Sequence, residues 1–147
     1  IHNSWTYSNR QTPSVLLNNY YEDINGNFQV RELKKALFGN CIIWGNTDNE
    51  IVLDQFPGVG LFDYKFDHCL IKIDPDQATV APYFIDPVKN NDPKLKDPAK
   101  LKFDLDTLSP AKDKGEISIA SFAPLDFNQW NRLSDNKPDL GAYERQE

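Results

Sequence analysis

Short apolar runs alternate along this chain with clusters of Asn, Asp, Gly and Pro, and that pattern predicts strands rather than helices. The runs Ser14 to Leu17, Phe38 to Trp44, Ile51 to Leu53, Tyr64 to Ile73 and Ile117 to Phe122 have strand length and are bounded by turn residues. One window spaces its apolar residues helically, with Val30, Leu33, Ala36 and Leu37, and predicts a turn or two of helix. The lysines from Lys94 to Lys102 alternate with Asp92, Asp97 and Asp104, and the stretch reads as a solvated loop.

One piece of the pattern repeats. Phe38-Gly39-Asn40-Cys41-Ile42-Ile43 aligns with Phe66-Asp67-His68-Cys69-Leu70-Ile71 at an offset of 28 residues, and turn residues follow both copies (Gly45-Asn46 and Asp74-Pro75). A period in this range, built on short strands, points to a solenoid. A single strand-and-turn coil cannot bury its own apolar side. Stacked coils place equivalent residues about 4.8 Å apart, so that Phe, Cys and Ile form ladders. On the repeat alone, a parallel β-helix and a β-sandwich are both open.

Composition narrows the function classes. Hydrophobic residues are 39% and aromatics 12%, enough for one packed domain in 147 residues. Mean hydropathy is −0.60, and no apolar run approaches the ~18 residues of a membrane span. With 22 acidic against 16 basic residues, the net charge of −6 argues against nucleic acid as a partner. Cys41 and Cys69 are too few for a disulfide scaffold and too far apart for a C-x-x-C zinc site, so no metal and no cofactor is expected.

The C-terminal part carries a second signal. It reads Phe84-Ile85-Asp86-Pro87, then Phe103-Asp104-Leu105, then Ser109-Pro110-Ala111-Lys112-Asp113-Lys114-Gly115, and it closes on Pro138-Asp139-Leu140-Gly141-Ala142-Tyr143-Glu144. This succession resembles the C-terminal region of secreted bacterial parallel β-helix proteins of the choice-of-anchor Q type. The resemblance runs from about Phe38 to Glu144. It departs at Lys112, where the family has an aliphatic residue. It departs again at Gln129, which replaces a glycine between the matching Asp126 and Arg132. The resemblance implies an all-β fold: a right-handed parallel β-helix of about three or four coils with an irregular C-terminal cap. It implies one domain over 1–147, the C-terminal fragment of a larger β-helix, with stacked coils over 1–89 and a terminal loop and cap over 90–147. It also implies a bacterial protein located outside the cell or on its surface.

Candidate chemistry is sparse. His68 adjoins Cys69, but neighbouring strand residues point to opposite faces, which separates a nucleophile from its base. The two cysteines, if stacked, have parallel Cβ vectors that suit a disulfide poorly, and two buried free thiols are expected. Asp63, Asp67, Asp74, Asp76, Asp104 and Asp106 have no calcium-loop spacing. No phosphate loop, zinc motif or nucleophile elbow occurs, so no catalytic residue is assigned. Aromatic residues are numerous: Trp5, Tyr7, Tyr20, Tyr21, Trp44, Tyr64 and Trp130. Trp44 and Tyr64 are the candidate ligand contacts, with polysaccharide as the partner.

The expected role is a non-catalytic scaffold or cap of an extracellular, carbohydrate-associated surface protein. Two alternatives are a lyase or glycosidase with its groove upstream, and an adhesin-like solenoid. Upstream coils of the same parent chain are the expected neighbours. The exposed N-terminal coil is also expected to permit self-association.

Overall fold

The computed structural model describes residues 1–4 and 10–146. Strands dominate, and most of them pair in parallel. The first sheet contains β1 (His2–Asn3), β6 (Ile42–Gly45), β9 (Leu70–Ile71) and β11 (Val88–Lys89), paired in that order. The second contains β5 (Leu33–Gly39), β8 (Phe62–Asp67) and β10 (Phe84–Ile85). A third ladder pairs β2 (Val15–Asn18) with β7 (Ile51–Asp54), and an Ile51–Ile73 bridge carries it one step further.

The register follows the repeat. Phe38 pairs with Phe66, Ile42 with Leu70 and Ile43 with Ile71, all at the predicted offset of 28 residues. A third copy follows after only 18 residues, since Phe66 pairs with Phe84 and Leu70 with Val88. The Phe38, Phe66 and Phe84 rings lie nearly parallel, with centroids 4.6 and 5.3 Å apart. Between the second-sheet and first-sheet strands the chain turns at one left-handed residue each time. These are Asn40, His68 and Asp86, with φ of 49°, 50° and 42°.

Strand alternation divides the apolar residues into two clusters. Ile43, Phe66, Cys69, Ile71, Ile73 and Phe84 form the inner one, with Val15 and Ile51. Ile42 and Leu70 point the other way and pack against Leu105, Ala111 and Leu140. The first sheet is therefore buried on both faces, as expected for parallel strands. Its outer cover is the chain after Asn90.

Three expectations are corrected. The Val30–Leu37 window is not helical. It holds the end of β4 (Phe28–Val30), which pairs antiparallel with β3 (Tyr20–Glu22), and the start of β5. Ladder bonds to β8 outweigh the weak preference of so short a helix. The Lys94–Lys102 stretch is not a loop. It contains β12 (Leu95–Asp97) and a 3-10 turn (Pro98–Lys100), and it leads into β13 (Lys102–Leu105) in a hairpin. Leu95 and Leu105 face the outer cluster, and that burial organises the polar sequence around them. Ile117–Phe122 is not a strand either. A short helix, α1 (Ile117–Ala120), begins where the Glu116 side chain accepts the Ser118 N–H at 3.1 Å.

Candidate functional site

The two nominated contacts are held apart by the ladder alternation. Trp44 lies in β6, opposite His2, and packs on the edge of the outer cluster. The Lys72 ammonium lies 5.2 Å from its ring centroid and donates to the Gly45 carbonyl at 3.1 Å, so one indole face is taken. Tyr64 lies in β8 against the inner cluster. Tyr83 stacks on its ring at 4.8 Å, and Phe62, Phe66 and Phe84 meet its edges. Burial, and then the neighbouring Tyr83, push its hydroxyl pKa up. A cavity of about 190 Å³ beside it is also lined by Gln55 and Gln77. Both aromatics are half-buried and pack against the core on their inner sides.

The other aromatic candidates divide. Trp5 and Tyr7 lie outside the described residues. Tyr20 packs between Phe28 and Phe56 and donates to Asp54 at 2.5 Å. Tyr21 carries the Arg31 guanidinium over its ring. Trp130 is half-exposed.

Neither reactive pair assembles. Cys69 is buried, while Cys41 is half-buried at the open end of its ladder, and both are free thiols. A hydrogen bond within the pair draws Cys41 down to about 7 and, with burial, pushes Cys69 up. His68 turns away from Cys69. Its Nδ1 lies 2.8 Å from Asp67, and its Nε2 faces Asp86 at 3.5 Å and Glu116 at 3.9 Å. Carboxylates therefore occupy both ring nitrogens. Burial opposes the charge of Asp67, but Lys65 and His68 outweigh it and hold its carboxyl below the ordinary value. No group of three or more metal-ligating side chains occurs among the described residues.

The terminal motif folds into a buried polar clasp. Asp126 accepts the Trp130 N–H at 2.7 Å and the Glu144 N–H at 2.8 Å. Arg132 donates to the carbonyls of Gly141 and Asp139 at 2.8 and 2.6 Å. Asp139 accepts the Asp113 and Arg145 N–H groups, both at 2.8 Å, and Glu144 accepts the Asp139 N–H at 3.1 Å. Asp126 and Asp139 are thus held by backbone N–H groups, while Glu144 lies 4.0 Å from the buried Arg132 guanidinium. Burial, and then the Asp139 charge, push Glu144 up to about 7 against its backbone bond and Arg132. Burial likewise raises Asp139. Gln129, where the resembled pattern has glycine, adopts φ of 67° in the turn that the Trp130 N–H closes on Asp126. Gly141 has φ of 97°, and a Cβ there would meet Ile42 Cδ1 at 2.9 Å.

Sequence reasoning missed a further buried carboxylate. Glu50 accepts from Ser14 N and Oγ at 3.1 and 2.6 Å, from Thr47 N at 3.0 Å and from Arg10. Burial opposes its charge, but these donors outweigh it and bring it down to about 2. Its neighbours Asp48 and Asn49 read as an ordinary surface turn, and no sequence signal singles Glu50 out. Asn19 was missed too. It pins the 55–61 loop by accepting the Phe56 N–H at 2.7 Å and donating to the Val59 carbonyl at 3.2 Å.

Comparisons with protein-family models, curated proteins and solved structures find no match for this chain.

Proposed function

We propose that this chain is a non-catalytic scaffold segment of a right-handed parallel β-helix of the choice-of-anchor Q type, exported to the bacterial surface and associated with polysaccharide. The observation that carries the reading is the three-step ladder, Phe38–Phe66–Phe84 and Ile42–Leu70–Val88, in register through short parallel strands. Coil-on-coil stacking of this kind is the unit of a solenoid. The paired ring nitrogens of His68 and the buried, backbone-bonded clasp carboxylates favour architecture over turnover.

The open side of β5 supports the upstream-coil reading. Among the described residues no strand pairs with its far edge, and Phe38 has a ring partner on one side only. Further coils of the parent stack there, and in isolation a second copy takes their place. Two measurements test the proposal. Incubation with uronic and neutral polysaccharides is expected to release no unsaturated or reducing ends. Released ends would favour the lyase or glycosidase alternative. Size-exclusion chromatography is expected to show concentration-dependent association. A clean monomer at all concentrations would remove the open-edge argument.

A further inference from the structure

We infer that the cleft between the outward face of the β12–β13 hairpin and the C-terminal residues binds one sugar unit of a glycan, with Trp130 as its stacking platform. The inference rests on the reading that the protein meets polysaccharide, and it places that contact away from Trp44 and Tyr64. The cleft has a volume of about 210 Å³, and its lining includes Lys96, Asp104, Asp106, Asn128, Trp130 and Glu144. That is below the ~300–1,000 Å³ of sites for drug-sized molecules and suits a single ring.

Strand alternation builds one wall. Leu95 and Leu105 point into the outer cluster, so Lys96, Asp104 and Asp106 share the opposite face. Asp104 and Lys96 have no hydrogen-bond or ion-pair partner among the described residues, so both are available to a ligand. The clasp builds the other wall. The backbone of Trp130 is fixed at both ends, its N–H on Asp126 Oδ1 and its carbonyl accepting the Asp126 N–H at 2.8 Å. The indole is 50% exposed. A rigid aromatic face of this kind packs against the apolar C–H face of a sugar ring at small entropic cost.

The polar groups complete the match. A sugar hydroxyl both donates and accepts. Asp104 and Asp106 accept, Lys96 donates, and the Asn128 amide does both. Three carboxylates, Asp104, Asp106 and Glu144, face two cations, Lys96 and Arg145, so the lining has no net positive charge to favour a phosphate over a neutral sugar. Glu144 is fixed by its bond from the Asp139 N–H, so its side of the cleft is preorganised.

The test uses the whole chain on an array of defined bacterial and plant glycans. It is followed by saturation-transfer NMR with methyl glucoside, methyl galactoside and methyl N-acetylglucosaminide. Binding is expected for the wild type. It should weaken about tenfold or more in Trp130→Ala and at least severalfold in Asp104→Asn, and remain unchanged in Trp44→Phe. Trp130→Phe should retain part of it. Asp104→Asn alters an exposed strand face and keeps the test open if Trp130→Ala does not fold. Wild-type binding that survives both Trp130→Ala and Asp104→Asn would overturn the cleft and leave the carbohydrate reading standing. No binding to any glycan or methyl glycoside would overturn both.

Discussion

Glu50 and Glu144 are both buried carboxylates, yet they respond to pH with opposite sign. Glu50 is lowered from 4.5 to about 2 by Arg10, Ser14 and Thr47 against the cost of burial. The stability it contributes is present above about pH 4.5 and is lost as pH falls towards 2. Glu50→Gln is therefore expected to cost about 3 kcal/mol at neutral pH and almost nothing near pH 2, read as the difference in urea midpoints. Glu144 is raised from 4.5 to about 7, chiefly by burial. Its contribution is intact below about pH 4.5 and declines until pH passes 7. Glu144→Gln should match the wild type at pH 4 and exceed it at pH 8 by up to about 3 kcal/mol. A flat difference across that interval would show that the clasp does not hold the carboxyl as described. Gln129 offers a third residue-scale test. Its φ of 67° is costly for a side chain with a Cβ. Gln129→Gly should stabilise the chain by about 0.5–1 kcal/mol in the same urea assay.

At the scale of elements, the ladder explains which parts of the fold were legible. The 28-residue repeat places Phe38 on Phe66 and Ile43 on Ile71, as observed, because both copies have connections of equal length. The third copy, Phe84-Ile85-Asp86-Pro87-Val88, was not recognised as a rung. Its connection is ten residues shorter and it lacks the cysteine, so a fixed period misses it. The hairpin from Leu95 to Leu105 was hidden for another reason. Its strands alternate polar residues with only three apolar ones, Leu95, Phe103 and Leu105, and the cluster that Leu95 and Leu105 join lies on a sheet far away in sequence. The clasp was visible as a motif, but its residues are spaced between Asp113 and Glu144, and only folding shows that their carboxylates bind one another's backbone N–H groups. The ladder makes a graded prediction. Phe66 is buried between two stacked rings, whereas Phe38 is half-buried with one ring partner among the described residues. Phe66→Ala should cost about 3–5 kcal/mol and Phe38→Ala clearly less, by urea unfolding. Equal losses would mean that something covers Phe38 from above.

At the scale of the molecule, the first sheet has a core on each face, and the two cores belong to different stretches of chain. The inner one is built within residues 15–84, while the outer one joins Ile42 and Leu70 to Leu105, Ala111 and Leu140. Removing the C-terminal cover would expose Ile42, Leu70 and Val88 together, and a parallel sheet open to water on one face is rare. The stacked parallel strands and the C-terminal stretch are therefore expected to unfold as one unit, although their elements are short and loops join them. Leu140 tests this, because it is buried at the centre of the outer core and lies far from the Phe ladder. Leu140→Ala should cost about 2–5 kcal/mol, a large share of the ~5–15 kcal/mol typical of a whole domain. The strand signal in far-UV circular dichroism and the tryptophan fluorescence should shift to lower urea by the same amount and remain coincident. If fluorescence shifts while the strand signal keeps its wild-type midpoint, the C-terminal stretch is a separable cover, and the stacked strands carry their own stability without it.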